Sequence, residues 1–343
     1  MSTHNTKLSG FSLIEMMVGL AIGLLGLLAV TQVMVTFNKN RNATTQTIES
    51  QSNGTMALYL LERDIAQAGY NMQDIRDNCP SINWYYGGSV QTPLSGLPLK
   101  ITDGGTNSDS IKVQYASSTD GVPFVKTGAS QLLFTDDIAM STLVGYQLPP
   151  YLNMLVVDVG GVCSFYQQTG QPNNVLGTIP HAPNTYNPVA QPTGWPLIQV
   201  SNLVSNLGSF VSKTYSIQNN NLMLSQFPTP GNYLTAVDGI VYLKAQYGLS
   251  SNPPDGTVHN WVNGTTAITN TNAKQVIAIR IGLIASTTGQ VSTNPPSNYP
   301  LLPAITDDNG TQAAVTYTPP TAATGYRYKS YYTVIPLRNV IWN

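Results

Sequence analysis

Glu15 is the residue whose setting most demands a chemical explanation. From Phe11 to Phe37 it is the one ionisable side chain in an apolar run. That run spans about 27 residues, more than the ~20 a helix needs to cross a bilayer core. A carboxylate in lipid costs roughly 2.5–3.5 kcal/mol on insertion scales at a helix centre, and less near the end. Something must offset that cost. A cut between Gly10 and Phe11 would create an α-amino group four residues before Glu15. The chemistry implied is peptide cleavage at Gly10, followed by a charge pair between Glu15 and a Phe11 amine of the same chain or of the next one.

Other reactive side chains are sparse. Cys79 and Cys163 are too few for a structural zinc site and lack C-x-x-C spacing. In an oxidising compartment they are expected to form a disulfide, the alternative being two buried thiols. Closing a loop of about 85 residues would stabilise the fold by roughly 4–5 kcal/mol in the chain-entropy model. His181 and His259 lie in Pro- or Asn-rich segments without a matching nucleophile and read as solvated or turn residues. Two oxygen-rich sets, Asp103, Asn107 and Asp109, then Asp307, Asp308 and Asn309, offer calcium ligands in type but lack EF-hand spacing. Turns use the same residues for backbone reasons. No phosphate-binding loop, G-x-S-x-G, H-E-x-x-H or dinucleotide fingerprint occurs. The expectation is a protein that is not an enzyme and holds no cofactor or metal.

Composition points the same way. The chain has 343 residues, only 9% of them charged, and a formal net charge of -1. No electrostatic footprint for nucleic acid runs across the whole chain, although a local patch such as Arg327 and Lys329 leaves DNA contact open. Asn, Gln, Ser, Thr, Gly and Pro supply the polarity, and with 19 tyrosines they describe a β-rich secreted or surface domain.

The elements that position these residues begin with one long helix, expected from Phe11 to about Ala68. Residues 1–10 form a polar leader and 11–37 a membrane-crossing half, with Gly19 and Gly23 as a G-x-x-x-G. Residues 38–70 form an amphipathic half. Asn- and Thr-rich residues 38–47 are its weakest part. Leu58, Leu61, Ile65 and Ala68 make a stripe for a packed sheet, and Gly69 is the stop. Residues 71–343 read as a β-rich globular domain, with no helix expected for a long way after Tyr70. Strands are expected at 110–116, 131–134, 154–165, 211–217, 221–227, 239–247 and 275–285, the last with Ile277, Ile279, Ile281 and Leu283 on one face. A further strand or hairpin is expected over 326–340. Residues 171–196, with six prolines, and 286–325 read as irregular surface loops. The fold class is α+β: a long N-terminal helix packed on a large, mainly antiparallel sheet domain.

The stretch Gly10-Phe11-Ser12-Leu13-Ile14-Glu15-Met16-Met17-Val18-Gly19 resembles the class III signal of type IV pilins and pseudopilins. More narrowly, Leu60 to Tyr70 with its Arg63-Asp64-Ile65 and Ala68-Gly69-Tyr70, then Asp109 to Tyr115, Tyr247 to Trp261 and Leu337-Arg338-Asn339, resemble the PilW family of minor pilins. The likeness is dense over residues 10–70 and fragmentary elsewhere. It implies cleavage after Gly10 by the prepilin peptidase, N-methylation of Phe11, and pairing of Glu15 with the N-terminal amine of a neighbouring subunit. Arg63-Asp64 is expected as a solvated pair on the helix rather than a subunit contact.

The implied role is a minor pilin that initiates or primes type IV pilus assembly, supporting twitching motility, adhesion and DNA uptake. The implied partners are the major pilin, other minor pilins, the inner-membrane assembly platform and a tip adhesin. The implied location is the inner membrane, crossed once with the domain in the periplasm, and then the pilus at or near its tip. Two alternatives stand beside it. One is a minor pseudopilin of a type II secretion system, and the other a pilus-tip adhesin or ligand-binding module whose loops 171–196 and 286–325 make the contacts.

Overall fold

The computed structural model describes residues 12–116, 125–146, 149–291, 296–320 and 325–341. A single helix of 54 residues, Leu13–Ala66, opens the fold, about 81 Å long at 1.5 Å per residue. Ser12 caps it in an extended conformation and donates its backbone N–H to Glu15 Oε2 at 3.0 Å, half of a capping box. The Asn- and Thr-rich part stays helical. Thr44 and Thr47 turn their hydroxyls back onto the carbonyls of Asn40 and Ala43 at 2.9 and 2.7 Å, so these polar side chains are satisfied within the helix itself. At the far end Gly69 takes φ +80°, open to glycine at little cost. Its N–H leaves the helix for Gln114 O at 3.0 Å.

The buried face of the helix consists of Ser50, Gly54, Ala57, Leu61, Asp64 and Ile65. It begins earlier than the stripe read from Leu58, and it begins with small residues. Leu58 itself is only partly buried against the core. Small side chains let the helix approach its sheet closely.

That sheet is wholly antiparallel. Its strands run in the order Asn260–Asn263, Ile240–Leu249, Val276–Ser286, Tyr328–Pro336. Val276–Ser286 is buried along its whole length, so it is covered on both faces rather than on one. Ile279, Ile281 and Leu283 join the helix in the main core. Ile284 meets Tyr299 and Leu301 on the other side. Two-sided burial explains why this strand reads as a continuous apolar run.

A second antiparallel sheet, in the order Tyr233–Asp238, Asn221–Gln226, Phe210–Gln218, Ser110–Ala116, Leu99–Thr102, closes the same core. A third has the order Leu94–Ser95, Ser81–Asn83, Val162–Gln167, Met154–Val159, Leu203–Gly208, Val125–Lys126. Only its pairing of Ser81–Asn83 with Val162–Gln167 is parallel. The third sheet is built largely from chain lying between Ala116 and Phe210, and it carries two cores of its own.

Several expectations change. A short helix, Gln73–Asn78, follows Tyr70. The expected strand 131–134 is a turn instead, because Asp136 Oδ2 accepts the backbone N–H groups of Leu132 and Leu133 at 2.9 and 2.7 Å. The run 154–165 is a hairpin, turned at Gly160-Gly161 with φ +62° and +89°. Residues 171–196 are irregular, yet they are no mere surface excursion. Thr178–Ile179 pairs with Ile138–Ala139, and Ile179 and Trp195 are buried in a core with Phe134 and Tyr166. Within 286–325 lie two small antiparallel pairs, Tyr299–Leu302 with Val315–Tyr317 and Ile305–Asp307 with Gly310–Gln312.

Candidate functional site

The first half of the helix carries the candidate site. Leu13–Ala66 is long and apolar enough to cross a membrane. Every large apolar side chain from Leu13 to Phe37 is more than half exposed, because the domain covers the helix only further along, where Gly289 N donates to Gln46 at 2.8 Å and full burial begins at Ser50. Such a surface needs lipid or other apolar helices around it. Glu15 sits in the first helical turn, where the unpaired N–H groups and the macrodipole favour an anion. One carboxylate oxygen accepts from Ser12 N. Gly10 and Phe11, the residues read as the cleavage and methylation positions, lie outside the described residues.

At the other end of the helix, Asp64 is not the solvated charge that its neighbour Arg63 suggests. It is 1% exposed and holds the helix to the second sheet: Lys213 Nζ and Tyr215 Oη both donate to Oδ2, at 2.7 and 2.6 Å. Arg63 Nη2 lies 3.0 Å from Oδ1. Burial pushes the Asp64 carboxyl up, but the donors from Lys213, Tyr215 and Arg63 outweigh it and hold it below the usual carboxylate range. Lys213 and Tyr215 share one face of a strand, two residues apart. Both lie in the strand expected over 211–217, but nothing in the sequence named their partner.

Cys79 and Cys163 are joined in a disulfide, with Cα atoms 5.7 Å apart. The bond sits beside the parallel strand pair, where Cys163 is the register partner of Ile82. It clips the segment after the helix onto the third sheet.

Both oxygen-rich sets hold protein cations or amides. Lys244 Nζ lies 2.6 Å from Asp109 Oδ1 and 3.2 Å from Asp103 Oδ1, an ammonium where a metal was conceivable. Burial works against that charge, yet the two carboxylates raise the Lys244 pKa overall. Asp307 accepts from Trp261 N and from the amide of Gln312. Asp308 Oδ2 and Asp255 Oδ2 grip the two ring nitrogens of His259 at 2.7 and 2.8 Å, which raises its pKa. Among the described residues no group of three or more His, Cys, Asp or Glu side chains could hold a metal ion.

His181 is a correction. It is buried against Phe134 and Tyr166 rather than solvated, with Nε2 3.1 Å from Phe134 O, and burial lowers its pKa. Arg280 escaped the sequence reading altogether. It is fully buried on the central strand, 5.1 Å over the Trp261 ring, with donors to Gln246 and Gln312. These contacts pin the 305–312 hairpin to the sheet. An arginine inside an isoleucine run was its only signal.

Comparison with known proteins bears on both ends of the chain. Residues 6–31 match the prokaryotic N-terminal methylation motif. Residues 210–339 match the family of type IV pilus-assembly protein W, PilW. That segment takes in the whole helix-bearing sheet and three strands of the second. No curated protein sequence matches the chain. A solved type IV-like pilin from Thermus thermophilus is similar over 84% of this chain and 96% of its own, at 10% identity and a TM-score of 0.36. With the methylation motif leading an exposed apolar helix and the PilW-matching segment forming the sheet that the helix packs on, the chain is similar at both ends to type IV pilus-assembly proteins of the PilW family.

Proposed function

We propose that this protein is a minor pilin that initiates or primes type IV pilus assembly and is then incorporated into the filament. The observation that carries the reading is the unsupported helix from Leu13 to Phe37, with Glu15 as its one charge. Residues 1–10 act as the leader, 11–37 cross the inner membrane and 71–343 form the periplasmic domain. Prepilin peptidase cuts after Gly10 and methylates Phe11. On extraction by the assembly platform the apolar helix exchanges lipid for neighbouring pilin helices. Glu15 then pairs with the Phe11 amine of an adjacent major or minor pilin, where exclusion of water makes a charge-assisted hydrogen bond strongest. A place near the pilus tip beside an adhesin, and service in twitching motility, adhesion and DNA uptake, extend the same reading.

Glu15→Ala tests it. The variant should still be cut and methylated, as read by mass spectrometry of its N-terminus. Its share in sheared surface filaments should fall by about ten-fold or more, the size of one lost charge-assisted contact. Unchanged incorporation and piliation would overturn the role of Glu15, and loss of protein secretion with pili intact would move the protein to a type II secretion system.

A further inference from the structure

Lysines in this fold are paired with carboxylates wherever they are substantially buried: Lys213 with Asp64 and Lys244 with Asp103 and Asp109. Lys112 breaks the pattern. It lies in Ser110–Ala116 directly opposite Lys100 of the neighbouring antiparallel strand, an arrangement of like charges that destabilises a sheet. Among the described residues neither ammonium has an ion pair or a hydrogen bond. On its other side Lys112 is the register partner of Thr214. The row Lys100, Lys112, Thr214 forms one wall of a cleft of about 410 Å³.

The opposite wall comes from the third sheet's edge, where Ser81 and Ser95 face the same space, and Thr102 adds a further hydroxyl. Among the described residues no carboxylate lines the cleft. Burial and the neighbouring Lys100 charge depress the Lys112 pKa to about 8, the mark of a cation lacking its counter-charge. Two ammonium groups with hydroxyl donors on both walls match an anion that accepts from several directions at once. A tetrahedral oxyanion does so, whereas a planar carboxylate presents only two oxygens.

We propose that the cleft between Lys100, Lys112, Thr214, Ser81 and Ser95 is a binding site for a phosphate group. The site lies in the globular domain and stands apart from the pilus-assembly reading. Its charge pair is tolerated because the ligand supplies the missing negative charge, and the hydroxyls orient the phosphate oxygens.

Calorimetric titration of the full chain in detergent micelles tests this, with inorganic phosphate, glycerol 3-phosphate, the soluble diester glycerophosphoglycerol, and acetate as probes. Saturable one-to-one binding of phosphate, without matching binding of acetate, is expected. Preference for glycerol 3-phosphate or inorganic phosphate points to a soluble monoester or free phosphate, and preference for the diester points to a lipid headgroup. Lys112→Met, which keeps the apolar stem, should weaken binding by about ten-fold or more without lowering the melting temperature of the ligand-free protein. Lys100→Gln, at the exposed edge, should weaken it in the same direction, and Lys329→Gln on a distant strand should not. No saturation by any phosphate probe to about 20 mM, equal binding of acetate, or unchanged affinity in both cleft variants overturns the proposal.

Discussion

Gly54 and Tyr331 occupy each other's space: a Cβ built on Gly54 would lie 2.1 Å from Tyr331 Cε2, and Tyr331 Oη donates to Gln51 O at 3.1 Å. The tyrosine ring replaces the missing side chain and docks the helix on the edge strand Tyr328–Pro336. In an exposed helix Gly→Ala gains about 1 kcal/mol from propensity. Gly54→Ala should instead lose about 1–3 kcal/mol through overpacking, and removing the ring with Tyr331→Ala should restore part of it. Urea denaturation of the full chain in detergent, followed by circular dichroism, measures both. A Gly54→Ala variant more stable than the parent would refute the contact.

Asp64 makes the second joint between helix and sheets. Its pKa is lowered in the folded protein, so its contribution is fully present above the unfolded carboxylate range near pH 4 and is lost as pH falls through the folded value. Asp64→Asn should cost about 2–4 kcal/mol at neutral pH, since it leaves Lys213 facing an amide. It should also flatten the acid limb of the stability curve. Melting temperatures of parent and variant between about pH 2 and 7 test the sign, and equal slopes would count against it.

Reduction of Cys79–Cys163 opens a loop with a sequence separation of 84, and should cost about 4–5 kcal/mol in the chain-entropy model. The loss should appear first where the bond sits. Hydrogen exchange should quicken in Ser81–Asn83 and Val162–Gln167 before it changes in the helix-bearing sheet. Protection that falls uniformly would mean that the bond serves the whole fold instead.

His259 should titrate above the ordinary histidine value near 6.5. A raised folded pKa makes its bridge stabilising at low pH, with the contribution lost as pH rises through the folded value. Proton NMR of the imidazole reads the pKa directly. Asp308→Asn should bring it down toward 6.5, because a neutral amide no longer favours the imidazolium. A pKa that ignores the substitution would exclude the Asp308 contact in solution.

The long helix, its glycine stop, the strand 110–116 and the central strand were legible because each rests on a local pattern: a sustained apolar run, a period of two, a conformation suited to glycine. What escaped the sequence depends on distant partners. Asp64 and Lys213 are separated by 149 residues, and nothing near Asp64 shows that it turns inward. Phe134 looked like the end of a strand, but the turn around Asp136 delivers it into an aromatic core with Trp195. The six-residue helix Gln73–Asn78 is too short to carry a period. For the candidate site the balance reverses. Glu15 and the run behind it stood out as sequence, because a single charge in a long exposed apolar helix is a local pattern that needs no distant partner.

The chain leaves the second sheet at Ala116 and rejoins it at Phe210, and these two residues are register partners on adjacent strands. Exit and return therefore lie side by side. The described chain between them is an insertion that packs back on the segment after the helix, sharing one core between its own Val156 and Phe165 and Met72, Ile75, Ile82, Trp84 and Leu94 outside it. Its one covalent stitch to the remainder is the Cys79–Cys163 bond.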